Sequence, residues 1–433
     1  MRKRFWLFGS LFTILLMVAI GLLWAPASPP IAVAQDDVTF TIGETTLTSH
    51  YPRGMTFTIE ASSSAGEISR ATLFYELRTG LRERENGELD AETGLWVAEP
   101  YRVRGGLPPW VDFHYWWVLT DSAGNVYETE KQYGIYEDNT REWWHVDTDD
   151  ITLYWFGELP DLGDQVAQAM AEMREYYERG WGRTISYKPL AILFPPGDIW
   201  NEYVEGGVNP NAAGFTQPSE GFTIQRIPGV RDPARHESLR NQCGGYWYGN
   251  RENTPEEWRM QDLIHTIVHE TTHLYQADFR VGGPQYWTEG QADYFASLTG
   301  WRNRDAESRM IAYGAAGYDL PTLQGGQMGG GSTEAADGCR AIGYAVGETF
   351  IRFIVTNYGG LEVHRAILEA LPGNGVEGAI AEVLGKPFVD VENEYRAYLG
   401  LPPVALLPTP TPFVLPTAPA FTIPTPPGGG SGG

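Results

Sequence analysis

Three histidines and one glutamate near the middle of the chain have residue types and a spacing that could hold a metal ion. Residues 265–273 read His-Thr-Ile-Val-His-Glu-Thr-Thr-His. On a helix, residues four apart lie on the same face, so His269 and His273 can bind one ion while Glu270 reaches a water molecule beside it. This pattern is typical of zinc hydrolases, although a bare five-residue match also arises by chance. His265, one turn earlier, is either a partner of the site or an ordinary surface histidine.

A helix is predicted to carry this motif. Thr254, Pro255 and Glu257 form a helix-start signal, with threonine as the N-cap, proline at the first helical position and glutamate closing a capping box. Apolar residues then recur at spacings of three and four, which predicts that one side of the helix is buried while the histidines face a cleft. The residues on this buried side are Leu263, Ile264, Ile267, Val268, Thr271 and Leu274.

A third ligand is needed, because a catalytic zinc ion usually has three protein ligands and one open position for water. Glu289 is the best candidate, since it lies in a second predicted helix, introduced by the turn residues Gly282-Gly283-Pro284. Asp293 lies one turn further on the same face, where it can accept a hydrogen bond from a ligand histidine. The alternative for Glu289 and Asp293 is an ordinary solvated acidic face.

The two segments together resemble the gluzincin metallopeptidases, and in particular the bacterial peptidase MA-like group. The resemblance is specific between residues 254 and 299, and it rests on His269-Glu270-Thr-Thr-His273 and Trp287-Thr-Glu289-Gly-Gln-Ala-Asp293-Tyr294. It implies one Zn²⁺ ion held by His269, His273 and Glu289. It further implies that Glu270 is the general base and that Asp293 is the carboxylate beside a ligand histidine, as in thermolysin.

A donor for the oxyanion is also expected, since the tetrahedral intermediate of peptide hydrolysis carries negative charge. Tyr344 is the first candidate, because it matches a tyrosine found at this place in the peptidase MA-like group. His364 and Tyr286 are the next candidates. In gluzincins an edge strand binds the substrate backbone in extended form, and residues 213–216 are the candidate here, with an ordinary edge strand as the alternative.

The N-terminus predicts export. Basic residues at positions 2–4 precede an uncharged stretch over residues 5–25, and small residues follow up to Ala34. This pattern favours a signal peptide over residues 1–34, with an uncleaved membrane anchor over 5–25 as the alternative. Either outcome places the rest of the chain outside the cytoplasm, secreted or anchored to the outer face of the cell membrane.

Two cysteines, Cys243 and Cys339, are expected to form one disulfide, because an exported chain meets an oxidising compartment. Metal ligation by these residues is the weaker alternative, since no Cys-x-x-Cys pattern accompanies them.

The charge of the chain argues against nucleic acid as a partner. The formal net charge is −24 at pH 7, and it becomes −27 without residues 1–34, which carry three basic groups and no acidic ones. Such a charge repels phosphate backbones. A peptide or protein substrate is the partner that the motifs predict.

The expected architecture is multidomain. Short alternating segments rich in β formers predict an all-β immunoglobulin-like sandwich over residues 36–147. Strand and helix patterns, followed by helices from residue 341, fit an α+β gluzincin-type (thermolysin-like) domain over 148–400 with a helical C-terminal lobe. Within it, residues 301–338 are glycine-rich and expected to be irregular. Residues 401–433 contain ten prolines and no charged residue, which predicts a disordered tail.

Taken together, the residues predict an exported zinc metallopeptidase. An endopeptidase is mildly favoured, because the sheet region contains no Gly-x-Met-Glu-Asn segment of the kind that binds a free amine in aminopeptidases. Two alternatives stay open. One is an extracellular binding or scaffold protein with a peptidase-like fold and little turnover, which the presence of Glu270 argues against. The other is a zinc hydrolase of non-peptide amides.

Overall fold

The computed structural model describes residues 38–100, 107–157, 159–195, 197, 213–229, 254–300, 306–317, 320, 322–326 and 342–404. The chain divides into two compact units, Met1–Arg141 and Glu142–Gly433. The predicted leader or anchor, Cys243, Cys339 and the proline-rich tail beyond residue 404 lie outside the described residues. Within the described part, no helix combines the length and the apolar character that a membrane span requires.

The described part of the first unit consists of two antiparallel sheets. Their orders are β1-β2-β6-β5 and β4-β3-β7-β8, and β9 also pairs with β7. The strands are β1 (Phe40–Ser49), β2 (Met55–Ser63), β3 (Ile68–Leu77), β4 (Arg82–Asn86), β5 (Glu88–Leu89), β6 (Trp96–Ala98), β7 (Asp112–Asp121), β8 (Val126–Glu128) and β9 (Gln132–Ile135).

The core of this unit follows from alternation along its strands. Phe57 and Ile59 in β2, and Leu73 and Tyr75 in β3, are buried while their neighbours in sequence are less so, because successive side chains of a strand point to opposite faces. A hairpin joins β7 to β8. The carboxylate of Asp121 accepts hydrogen bonds from the backbone amides of Ala123 and Asn125, at 3.0 and 2.9 Å.

The second unit begins with a mixed five-stranded sheet in the order β10-β11-β12-β14-β13. Its strands are β10 (Trp144–Asp147), β11 (Thr152–Trp155), β12 (Leu190–Phe194), β13 (Gly214–Gln217) and β14 (Phe222–Arg226), and helix α1 (Leu162–Trp181) separates β11 from β12. The three inner strands are parallel, and the outer two are antiparallel to their neighbours. All five residues of β12 are buried, as is usual for a parallel strand covered on both faces.

Further helices follow the sheet. They are α2 (Pro255–Asp278), α3 (Gln285–Leu298), α4 (Ala306–Ala315), α5 (Ile342–Tyr358), α6 (Leu361–Ala370), α7 (Gly375–Leu384) and α8 (Phe388–Tyr398), with a short 3₁₀ turn at Gln324–Gly326. The four helices predicted after residue 341 are all present. The architecture is therefore multidomain, with a β-rich N-terminal unit and a C-terminal part dominated by helices.

Helix α4 corrects the prediction that residues 301–338 are irregular throughout. Ala306, Arg309, Met310 and Tyr313 are buried at helical spacing. This short helical pattern is hard to recognise in the sequence, because the residues that follow it, up to 338, are rich in glycine.

Helix α2 begins as the sequence predicted. Thr254 Oγ1 accepts a hydrogen bond from the Glu257 amide at 3.2 Å, and the Thr254 amide donates to the Glu257 carboxylate at 2.8 Å. The capping box is thus complete. The predicted buried side is also confirmed, since all six of its residues are at most 1% exposed. Burial of that side fixes the direction in which the histidines project.

Candidate metal centre

His269, His273 and Glu289 bring three potential metal ligands together in the second unit. His269 Nε2 lies 3.2 Å from His273 Nε2 and 3.3 Å from Glu289 Oε2, and His273 Nε2 lies 3.6 Å from Glu289 Oε2. The two histidines are one turn apart on α2, and the glutamate comes from α3. These are the three residues that the sequence selected as ligands.

The donor set and its spacing fit a zinc ion. Ligand atoms arranged tetrahedrally at about 2.0–2.2 Å from zinc lie about 3.3–3.6 Å from one another. The three observed separations, 3.2, 3.3 and 3.6 Å, agree with that arrangement. Two imidazoles and one carboxylate also form the donor set of many catalytic zinc sites. This His/Glu group can therefore hold one divalent cation.

Asp293 orients the first ligand histidine. Its Oδ1 atom lies 2.8 Å from His269 Nδ1 and 3.3 Å from His265 Nε2. A carboxylate oxygen accepts, so His269 carries its proton on Nδ1 and leaves Nε2 for a metal. His265 is 1% exposed. The alternative that it is a surface histidine is therefore wrong, and it supports Asp293 from the other side.

Gln276 orients the second ligand histidine, and sequence reasoning missed it. His273 Nδ1 lies 2.7 Å from Gln276 Oε1, while the Gln276 amide nitrogen donates to the carbonyl of Thr288 at 2.7 Å. Gln276 is three residues after His273 on α2, so the two side chains share a helical face. That spacing is the signal that could have identified it.

The edge strand β13 approaches Glu270 closely. Thr216 Oγ1 donates a hydrogen bond to Glu270 Oε2 at 2.6 Å, and the same hydroxyl lies 3.0 Å from the Glu270 carbonyl. A side chain at Gly214 would bring its Cβ within 3.2 Å of Glu270 Cγ. Glycine therefore allows the strand to lie against the motif helix. Among the strands that the structure describes, β13 pairs only with β14, as predicted for the segment around residues 213–216.

The ligands and Glu270 line one cleft of about 440 Å³. Phe215 and Val281 contribute apolar wall. Tyr344 also lines the cleft, with its ring centre 6.1 Å from that of His269. Two other predicted oxyanion donors do not belong to this cleft. His364 and Tyr286 are 1% and 0% exposed, since they pack in the core beneath it.

Two glycines bring Tyr344 and the third ligand near each other. A Cβ atom at Gly290, the residue after Glu289, would lie 2.5 Å from the backbone carbon of Gly347. A Cβ atom at Gly347 would lie 2.3 Å from the carbonyl of Tyr286. Helices α3 and α5 therefore touch backbone to backbone, and Tyr344 is one turn before this contact on α5.

Hydrogen bonds among the candidate ligands favour a protonated imidazole. Burial lowers the pKa of His269, but hydrogen bonds to Asp293 and Glu289 outweigh burial and raise it to about 10. Burial raises the pKa of Glu289, but hydrogen bonds to His269 and His273 hold it at about 2. Hydrogen bonding to Glu289 likewise raises the pKa of His273 despite burial. A metal ion binds neutral imidazole, so it must displace this proton.

No family model matches the chain, and no curated protein matches its sequence. Among solved structures, an aminopeptidase N family protein from Idiomarina loihiensis aligns over 86% of this chain and 77% of its own, at 10% identity and a TM-score of 0.37. A polysaccharide deacetylase from Bacillus cereus aligns over 42% of this chain and 69% of its own, at 11% identity and a TM-score of 0.19. Structural likeness at TM-scores this low carries no argument about function. The case for a function therefore rests on the geometry of the candidate metal centre.

Proposed function

We propose that this chain is an exported zinc-dependent metallopeptidase of the gluzincin type. One observation carries the proposal. Three ligand atoms spaced 3.2–3.6 Å apart share a cleft with the carboxylate of Glu270, which immediately follows the first ligand. A site that only binds metal for structural reasons has four protein ligands and needs no general base.

In this proposal His269, His273 and Glu289 hold the ion, and Asp293 and Gln276 fix the two imidazoles. When bound, zinc would polarise a water molecule and the scissile carbonyl. Glu270 takes the proton of that water and delivers it to the leaving amine. The hydroxyl of Thr216 holds Glu270 Oε2 by its 2.6 Å hydrogen bond, which leaves Oε1 to receive the proton.

The walls of the cleft suit an extended peptide. Strand β13 has one neighbour in the described sheet, so its outer edge can pair with a substrate backbone by strand addition. Tyr344 is the proposed donor to the oxyanion, because its side chain lines the same cleft. Since such pairing needs no free terminus, cleavage within a chain is favoured over removal of terminal residues.

The remaining parts of the proposal concern the rest of the chain. We assign residues 36–141 to an immunoglobulin-like sandwich, supported by the two antiparallel sheets of the first unit. The predicted end of this domain at residue 147 moves to 141, because β10 (Trp144–Asp147) pairs with β11 in the sheet of the second unit. We assign residues 142–400 to the peptidase domain. Export through residues 1–34, or anchoring through 5–25, and the Cys243–Cys339 disulfide follow from the sequence.

Replacement of Glu270 by glutamine tests the function. The glutamine keeps the size of the side chain but cannot accept the water proton, so cleavage of a peptide library should fall about 10²–10⁴-fold. Zinc content should stay near one ion per chain. Glu256→Gln is the matched control, because Glu256 is exposed in the first turn of the same helix, and it should cleave like the unmodified protein.

Three outcomes would contradict the proposal. A purified protein that binds no zinc, or binds zinc and cleaves no peptide, would favour a binding or scaffold role. Cleavage that survives both chelation and Glu270→Gln would exclude this mechanism. Turnover of small amides but of no peptide would favour the non-peptide hydrolase. Peptides with blocked termini separate cleavage within a chain from terminal trimming.

A further inference from the structure

A chain of buried hydrogen bonds runs from the ligand His273 into the core. His273 Nδ1 lies 2.7 Å from Gln276 Oε1, and Gln276 Nε2 lies 2.9 Å from Gln291 Oε1. Gln291 Nε2 then lies 3.0 Å from His364 Nε2, and His364 Nδ1 lies 2.8 Å from the carbonyl of Gly180. The chain joins helices α2, α3 and α6 and ends on the last turn of α1.

The last acceptor of this hydrogen-bond series, the carbonyl of Gly180, determines the donor and the acceptor in every bond of the series. The Gly180 carbonyl can only accept, so His364 carries a proton on Nδ1. Burial lowers the pKa of His364 to about 4, so the ring is neutral near pH 7 and its Nε2 accepts. Gln291 must then donate to His364 through its amide nitrogen and accept from Gln276 through its oxygen.

A second anchor gives the same direction independently. The amide nitrogen of Gln276 lies 2.7 Å from the carbonyl of Thr288 as well as 2.9 Å from Gln291 Oε1. Both neighbours accept, so both protons of this amide are used. The oxygen of Gln276 therefore faces His273, which must donate from Nδ1. The Nε2 lone pair of His273 is left facing His269 and Glu289.

We propose that His364 is a positioning residue that, together with the carbonyl of Thr288, favours the metal-binding tautomer of His273, acting through Gln291 and Gln276. His364 touches neither the ligands nor the cleft, and it is 1% exposed; Gln276 and Gln291 are 5% and 0% exposed. Without this acceptor a buried N–H of Gln291 is unpaired and the Thr288 carbonyl alone orients Gln276, so the two amides keep one of their two anchors and His273 is held less strongly in the tautomer that binds metal. The proposal rests on the proposed zinc site but not on peptide hydrolysis.

His364→Phe tests the proposal, with His364→Gln as the conservative variant. Phenylalanine removes the acceptor for Gln291, so zinc affinity, measured by competition with a chromophoric chelator, should fall about 10–100-fold. Glutamine keeps one donor and one acceptor and should restore affinity to within a few-fold of the unmodified value.

Ile367→Ala is the control for lost packing, since Ile367 is 0% exposed on the same helix and its apolar side chain takes part in none of these hydrogen bonds. It should lower the thermal midpoint without a matching loss of zinc affinity.

Nitrogen-15 NMR of the histidine-labelled, metal-free protein, compared between the unmodified chain and His364→Phe, gives a readout that a packing role would not produce. The unmodified protein should show His273 with a protonated Nδ1 and an unprotonated Nε2, and His364→Phe should shift the population toward the opposite tautomer. The opposite tautomer, or a loss of affinity in Ile367→Ala equal to that in His364→Phe, would overturn the proposal. Unchanged affinity in His364→Phe would also overturn it, even if the protein cleaves peptides. Loss of affinity in a protein that cleaves nothing would sustain it and count against the peptidase function alone.

Discussion

At the scale of single residues, the candidate metal centre is a set of groups for which a proton and a metal cation compete. His269 lies between Glu289 on one ring nitrogen and Asp293 on the other. Two carboxylates on one imidazole stabilise its charged form. The same carboxylates favour a divalent cation, which adds more positive charge than the proton it replaces. Affinity for the metal should therefore depend on pH well above the usual range of histidine.

Zinc affinity should rise with pH through neutrality and beyond. The pKa of His269 is raised to about 10 in the metal-free protein, so a proton must leave this residue whenever the pH is below that value. For one displaced proton, the apparent affinity should increase about tenfold per pH unit between about pH 7 and pH 9. Chelator competition across this range, with calorimetry in buffers of different ionisation enthalpy, measures both the slope and the released proton.

Asp293→Asn is the matched variant for this measurement. It keeps an acceptor oxygen for His269 but removes a charge that raises its pKa. The slope of affinity against pH should then flatten at a lower pH. A slope that is flat from pH 7 upward in the unmodified protein would show that the metal-free ligands hold no such proton.

Two pairs of the candidate site, His269 with His273 and Glu289 with Asp293, could be predicted from the sequence because the geometry within each pair is local. A spacing of four residues on a helix brings His269 and His273 together wherever that helix lies in the fold. Glu289 and Asp293 have the same spacing. Thr216 and Gln291 could not be assigned in this way. Their roles depend on how β13 and α3 pack against α2, which is a tertiary relation that no single segment encodes.

At the scale of elements, a close crossing of two helices sets the position of the third ligand. Gly290 on α3 meets Gly347 on α5 with no room for a Cβ atom on either. Glu289 immediately precedes the crossing, and Tyr344 lies one turn before it. The distance between these helices therefore controls both a ligand and the proposed oxyanion donor.

Gly290→Ala should separate the helices and weaken the site. The new methyl group would meet the Gly347 backbone at 2.5 Å, and overpacking of this kind costs about 1–3 kcal/mol in the free energy of unfolding. Urea unfolding of the metal-free protein should show that loss, and zinc affinity should fall because Glu289 moves. Gly378→Ala on α7 is the control. The atom nearest to its new Cβ would be the Cβ atom of Asn374, at 3.2 Å, and Asn374 is exposed. Unchanged stability and affinity in Gly290→Ala would contradict this account.

Long elements with a regular spacing of apolar residues were easier to predict from the sequence than short elements without one. The capping box and the apolar spacing of α2 predicted its start and orientation, and helices are present after residue 341 as expected. The strands β4, β5 and β6 show no clear strand pattern in the sequence, since they are short and β4 is strongly charged. In these strands pairing with a longer neighbour, rather than an apolar pattern, determines the structure.

At the scale of the whole molecule, the dominant property is negative charge. The formal net charge is −24 at pH 7 and −27 without residues 1–34. A charge of this size produces a field around the protein that concentrates cationic solutes and repels anionic ones. It bears on how fast a substrate arrives rather than on the chemistry proposed for Glu270.

Cationic peptides should therefore be cleaved with higher kcat/KM than anionic ones, and salt should reduce the difference. Two peptides that share a cleavage site and differ only in lysine or glutamate at a distant position isolate the effect. Their ratio of kcat/KM should be several-fold at about 0.01 M salt and shrink toward one at about 0.1 M, because the Debye length falls from about 30 Å to about 10 Å. Because steering acts on association, kcat should stay equal for the two peptides at both salt concentrations. A preference that is unaffected by salt would instead locate the selectivity in direct contacts within the cleft, and a preference for the anionic peptide would contradict steering by the net charge.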